Sequence, residues 1–224
     1  MSLRLCLFSA SLALSAAAAP ESVFKFHLPD GWLDLSPGAP EDNFNQVAPE
    51  VARIARNGRF AAYGFDIAGA TDTFTANENV HVQEAKIQIS QAILPQIRSE
   101  MQQAASSDGT PVTVIDASLR TIGGVESGRF ISEMKVRGTE VRQITYLIPA
   151  ATQTASLVFT VERSRFDEYV DKIDAAAMKT EGAGAAAAPG QGFDWGQVAL
   201  AGLLGAAIGG IIAGMKYLRS RRKA

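Results

Sequence analysis

Chemistry-bearing residues are scarce in this sequence. One cysteine, Cys6, and two histidines, His27 and His81, serve all 224 residues. A single thiol near the N-terminus excludes an internal disulfide framework. Neither histidine has a second His or a Cys at metal-ligand spacing, so no metal site is expected. The nucleophile elbow Gly-x-Ser-x-Gly is missing too: Gly124-Val125-Glu126-Ser127-Gly128 carries its serine one place late. Gly182-x-Gly184 follows no strand and precedes no acidic ribose partner, which removes a dinucleotide loop. Asp66, Asp72, Glu78 and Glu84 are spaced too widely for a calcium loop and read as solvated acids. The sequence therefore assigns no catalytic residue, no cofactor and no metal. It also lacks an Asn-x-Ser/Thr acceptor.

Long apolar stretches are confined to the ends. Met1 to Ala19 has one early cation, Arg4, an apolar core from Leu5 to Leu14 and a small-residue exit, the pattern of a secretory leader. That core is too short to cross a bilayer, although a retained anchor is the alternative reading. Cys6 would leave with the leader. Trp195 to Met215 is an uncharged run of 21 residues. At about 1.5 Å per helical residue it matches a ~30 Å hydrocarbon layer. Lys216, Arg219, Arg221, Arg222 and Lys223 follow it, and Asp194 precedes it, which orients the span with its C-terminus in the cytoplasm. A Gly/Ala spacer, an apolar stretch and a basic end also fit a sorting segment that is removed.

The expected organisation is a leader at 1–19, an exported domain at 20–180, a Gly/Ala-rich linker at 181–194, a transmembrane helix at 195–215 and a basic cytoplasmic tail at 216–224. Of 21 basic residues, one lies in the leader and five in the tail, leaving 15 against 23 acidic ones, a net charge of −8 outside those segments. Such a domain is not expected to hold nucleic acid by phosphate neutralisation.

Within the domain, Val23 to Leu28 reads as a first strand, Pro29-Asp30-Gly31 as a turn, and Trp32 to Leu35 as a short return. Phe44, Val47, Val51 and Ile54 recur at helical spacing, with a kink or a late start at Pro49. Arg59 to Ile67 follows as a strand. Ala68 to Val80 reads as a long polar loop, with Asp72, Phe74, Asn77 and Asn79 as a candidate partner-contact surface. Gln83 to Ser107 is the longest helical stretch, kinked or split at Pro95. Val112–Thr121, Glu126–Val136, Val141–Ile148 and Ala155–Val161 are strands, joined at Gly123-Gly124 and at Arg137-Gly138-Thr139 by hairpin turns. A closing helix is expected to carry a Ser164/Asp167 capping pair, with Phe166, Tyr169, Val170 and Ile173 on one side. Helices flanking an antiparallel meander predict an α+β layered domain.

Phe24-x-Phe26-x-Leu28-Pro29-Asp30-Gly31-Trp32 resembles the opening of PsbP-like domains. The resemblance runs on through Tyr146-Leu147-Ile148-Pro149 and Leu157-Val158-Phe159-Thr160 to the helix with Phe166 and Tyr169, covering about residues 22 to 178. It implies an α-β-α sandwich with a central antiparallel sheet, plus here one C-terminal transmembrane helix. It also implies a function of binding or bracing other proteins rather than catalysis, as in a photosystem II extrinsic subunit, a Ran-binding protein and bacterial envelope members.

Within the apolar run, Ala201, Gly205, Gly209 and Ala213 form one row at a spacing of four, and Gly202, Ala206, Gly210 and Gly214 form the next. Small residues at that spacing let helix backbones approach in lipid. The expected partners are the membrane, crossed once, an envelope or membrane protein, and a second copy through the same helix. The expected location is the cytoplasmic membrane with the domain periplasmic or extracytoplasmic. The alternative function is a small-ligand or lipid-binding module that uses apolar space between sheet and helices.

Overall fold

A computed structural model describes residues 23–57, 60–107, 111–185 and 193–196, together with Val198, Gly209 and Gly210. The expected leader, the expected basic tail with Lys216, Arg219, Arg221, Arg222 and Lys223, and most of the apolar run lie outside the described residues. So do Ala201, Gly202, Gly205, Ala206, Ala213 and Gly214. Among the described residues no helix is long and apolar enough to cross a membrane.

Among the described residues seven strands form one antiparallel sheet. In chain order they are β1 (Leu33–Asp34), β2 (Ala62–Phe65), β3 (Asn77–Gln83), β4 (Val112–Ile122), β5 (Val125–Val136), β6 (Thr139–Pro149) and β7 (Thr154–Glu162), arranged in space as β1-β2-β3-β7-β6-β5-β4. Interspersed among the described residues are the helices α1 (Glu41–Phe44), α2 (Pro49–Arg56), α3 (Leu94–Ser107) and α4 (Phe166–Met178). The expected β4–β7 meander is present, with bounds extended by a residue or two. Its hairpins turn where the sequence places them: Gly123 and Gly124 take φ +58° and +83°, Arg137 and Gly138 +50° and +90°. Paired positive φ values give a turn whose twist matches that of the flanking strands.

Cross-strand register assigns the two faces. Ala62, Val80, Leu157 and Tyr146 lie in one row, and Glu78, Phe159, Ile144 and Ile131 in the next. These rows make the first face, which α4 covers with Phe166, Tyr169 and Ile173. Trp32 meets Phe159 and Tyr169 edge-on at 6.4 and 6.3 Å, so the Pro-Asp-Gly-Trp turn is built into this core. Gly31 takes φ +82°, and the Trp32 N–H donates to the Pro29 carbonyl at 3.1 Å. On the second face, α2 covers Tyr63, Phe65 and Val158 at one end. The helix α3 covers Phe130, Leu147 and Val114 at the other.

Several local expectations are corrected. Val23–Leu28 is not a strand; it makes one isolated bridge, Lys25 to Glu181. Pro49 gives the late start, as the first residue of α2, whereas Pro95 neither kinks nor splits a helix but sits in the first turn of α3; in both places a missing N–H leaves no bond broken. Gln83 to Ile93 is therefore outside any helix. The Ser164/Asp167 cap is absent, since Arg163–Arg165 is a 3₁₀ turn and Arg165 caps α4 without a side-chain bond.

The largest correction is β3. Asn77 and Asn79 belong to this strand, paired on both sides by β2 and β7, and both are buried. Phe74, expected at the surface, is 2% exposed and packs with Met134 and Val141. Of the proposed contact residues, only Asp72 is exposed. Its loop is closed onto the domain, because the Thr71 and Thr73 hydroxyls donate to the Glu162 carboxylate at 3.0 and 3.3 Å.

The first part of the expected linker is also fastened. Glu181 exchanges backbone bonds with Lys25, and the Gly184 N–H donates to the Pro149 carbonyl at 3.0 Å. Gly182, at φ +89°, lies so close to the Val23 carbonyl that a Cβ would collide with it.

Candidate helix-docking face

Two titratable clusters on the first face are structural clasps. Arg129 is buried on β5. Its Nε donates to the Tyr146 hydroxyl at 3.1 Å and to Asp174 Oδ1 on α4 at 3.2 Å, while its Nη2 stands 3.1 Å from the same oxygen. Tyr146 donates its own proton to Asp174. Burial, reinforced by the Asp174 carboxylate, raises the Tyr146 hydroxyl far above its ordinary range. That excludes it as a base near neutrality. In the second cluster the Tyr169 hydroxyl donates to Asp66 Oδ2 at 2.7 Å, while the Gly69 N–H donates to Oδ1 at 2.8 Å. Burial, then the Asp66 bond, also pushes Tyr169 well up. Both clusters tie helix or loop to sheet with their hydrogen bonds used.

The histidines are placed apart in role. His27 lies 3.3 Å from Glu181 Oε1, whereas His81 on β3 meets the Phe60 ring edge-on at 4.9 Å. Among the described residues no three His, Cys, Asp or Glu side chains converge as a metal would require. Asp66, Asp72, Glu78 and Glu84 are likewise dispersed. Asp66 is clasped, Asp72 and Glu84 are exposed, and Glu78 is fully buried.

The second face is different in kind. Between the ends covered by α2 and α3, the register runs Phe65–Asn77–Thr160–Gln143–Ser132 and, beside it, Tyr63–Asn79–Val158–Thr145–Phe130. Asn77, Asn79, Thr160, Gln143, Thr145 and Ser132 are all buried. Gln143 Nε2 donates to Thr160 Oγ1 at 3.0 Å, and Asn77 Nδ2 donates to the Thr75 carbonyl at 3.1 Å. Among the described residues, Asn79 Oδ1 and Nδ2, Asn77 Oδ1, Ser156 Oγ and the Tyr63 hydroxyl have no partner. Each such buried group costs about 1–3 kcal/mol, so a face optimised for stability alone would carry apolar residues here.

Several described residues of the C-terminal region contact this side of the domain. Gln83, at the end of β3, clasps Asp194 in both directions: its Nε2 donates to the Asp194 carbonyl at 3.1 Å, and the Asp194 N–H donates to its Oε1 at 2.9 Å. Phe193 and Trp195 pack edge to face at 4.6 Å against the cluster under α3. Val198 is 3% exposed and borders a small cavity with Met101, Ser132, Gln143 and Thr145. Gly209 accepts the Thr75 N–H at 3.1 Å.

The cavity beside Val198 measures about 20 Å³, room for roughly one water. A cleft of about 600 Å³ lies at the outer side of α3, bordered by Lys86, Gln88, Gln96 and Glu100 as well as Ile93 and Trp195. It is open and mixed in character rather than an apolar chamber between sheet and helices.

No protein-family model matches the sequence. No curated protein matches it either. The fold does match solved structures. The cyanobacterial PsbP of Synechocystis sp. PCC 6803 superposes with a TM-score of 0.50 at 11% identity, over 74% of this chain and 89% of that one. LpqN of Mycobacterium tuberculosis, a protein involved in cell envelope biogenesis, gives 0.42 at 14% identity, over 70% and 81%. A Pseudomonas aeruginosa protein of unknown function gives 0.39 at 10%, over 50% and 76%. The described domain is therefore PsbP-like in fold, as its opening motif and closing helix imply.

Sequence reasoning missed this face. Asn77 and Asn79 are singled out in the sequence, but as loop residues at the surface. The signal that could have found the strand is the alternation of Asn77, Asn79 and His81 with Glu78, Val80 and Val82, which polar composition disguises.

Proposed function

We propose that this chain is a non-catalytic interaction module of the cell envelope. Residues 1–19 carry it out of the cytosol, and residues 195–215 tether it to the cytoplasmic membrane with 216–224 inside. Its second sheet face binds an uncharged, small-residue helix belonging to a membrane or envelope protein. The observation that supports this most is the strip of buried polar side chains across the second face, where Asn77 Oδ1 and both amide atoms of Asn79 have no partner among the described residues. An amide can reach a helix backbone through glycine or alanine but not through leucine. A second copy of the chain, paired through the Gly205 and Gly209 row, is a further partner of the same chemistry.

Topology is the testable half of this reading. Protease added to intact spheroplasts is expected to trim the domain and leave a membrane-bound stub ending in the basic tail. A chain that resists the protease, or that fractionates away from membranes at full length, contradicts the tether.

A further inference from the structure

We propose that the sheet continues across the β4 edge into a second copy of this chain, β4 against β4, antiparallel about a two-fold axis at Ser118. The contact is edge-on. It uses neither sheet face and stands independently of the helix-docking reading.

The sheet ends differently at its two edges. β1 has 2 residues, too few to template another chain, whereas β4 has 11, and no described strand pairs its outer side. The hairpin fixes which main-chain groups of β4 face outward. Ile122 and Val125 flank the Gly123-Gly124 turn and exchange hydrogen bonds, and the alternation continues through Arg120, Ser118 and Asp116. Ala117, Leu119 and Thr121 therefore turn their N–H and C=O groups to the open side. Consistently, the Leu119 carbonyl is within reach of the Arg120 side chain, whose Nη1 donates to it at 2.9 Å.

Charge selects both the occupant and the register. Edges guarded against pairing commonly carry charge of one sign, lysine above all. β4 instead carries opposite signs four residues apart, Asp116 and Arg120, both exposed and both on the first face. With Ser118 facing Ser118, each Asp116 stands opposite an Arg120, and Ala117 exchanges main-chain bonds with Leu119 of the second copy. Sliding by one bonded pair moves the charges opposite serine or an apolar residue. Sliding by two sets like charges opposite each other. In the paired state Arg120 leaves the Leu119 carbonyl for the carboxylate, and the Ala117 N–H of the second copy takes its place, so no acceptor is orphaned. The bulge between Val114 and Asp116 ends the ladder and turns out Ile115, a large apolar side chain that is 43% exposed. Pairing sets it beside Thr121 of the second copy.

So short a ladder makes a weak dimer, and disulfide trapping accumulates a transient pair. The probe is the full chain in mild detergent, with Cys6→Ser removing the native thiol. Ser118→Cys places two thiols opposite one another at a Cα separation of about 4.5 Å, within bridging range. Thr121→Cys is the control. Thr121 is more exposed than Ser118, but the pairing holds its two copies about 20 Å apart along the strands. Ser118→Cys is expected to form the bridged dimer about tenfold faster than Thr121→Cys, or more. Arg120→Asp, which sets two acids face to face, should slow that reaction about tenfold, and adding Asp116→Arg should restore it. If Ser118→Cys disturbs the fold, a mixture of Ala117→Cys and Leu119→Cys chains reads the same register, each bridging to the other faster than to itself.

Trapping at Thr121 as fast as at Ser118 overturns the pairing, because random collision, or a dimer held elsewhere in the chain, favours the more exposed thiol. Trapping at neither position overturns it as well. An unchanged rate in Arg120→Asp overturns the charge-set register. A Ser118→Cys adduct with a different protein gives the edge to another partner and overturns the second copy.

Discussion

Asp174→Ala is expected to lower the unfolding free energy by about 3 kcal/mol, the lower end for breaking a buried ion pair. Arg129 is 5% exposed in its side chain and leans on one carboxylate oxygen of Asp174, which is itself 32% exposed. Removing the carboxylate strands a guanidinium whose next acid, Asp116, is 3.8 Å away and half in solvent. The Tyr146 hydroxyl loses its acceptor in the same step. The effect belongs to the stranded charge, so Arg129→Met combined with Asp174→Ala should recover most of the loss. Urea denaturation of the two variants checks this. A double variant as unstable as the single one would show that packing of α4, not charge, sets the loss.

Glu78 gives the second large effect, with the opposite sign. It lies on the first face between Gly64 and Phe159, fully buried, and among the described residues neither carboxylate oxygen has a partner. Burial, with a smaller contribution from the Asp34 charge, holds its pKa well above the ordinary 4.5. The native domain therefore keeps a proton that the unfolded chain releases above that pH. This contribution is fully present below 4.5 and declines as pH rises toward the native pKa. Glu78→Gln should flatten that decline. Glu78→Leu should stabilise the domain at neutral pH by about 1–3 kcal/mol, the cost of a buried group with no partner. Thermal melts between pH 4 and 8 are the measurement, on roughly that range because it brackets the ordinary carboxyl titration. A wild-type melting temperature that rises through this interval would contradict the assignment.

The parts of the fold legible in sequence are those whose residues act locally. Alternation in β5 and glycine pairs at the two hairpins specify the meander, and the Phe166, Tyr169 and Ile173 spacing specifies α4. What escaped depends on distant partners. Asn77-Glu78-Asn79 has poor strand propensity, and it is a strand because β2 and β7 pair it from both sides. Phe74 reads as exposed because its neighbours are polar, yet it is covered by Met134 and Val141 from far along the chain.

The most direct measurement places a photo-crosslinker on the second face. The only cysteine, Cys6, lies in the expected leader, so Thr145→Cys offers the mature chain a single thiol beside Val198. Labelled there with a benzophenone maleimide and irradiated in gently solubilised membranes, the chain is predicted to crosslink into an uncharged helix rich in glycine and alanine. That helix is either its own run or the span of another membrane protein. Adducts confined to charged, water-soluble segments, or none at all, would contradict a helix-docking face.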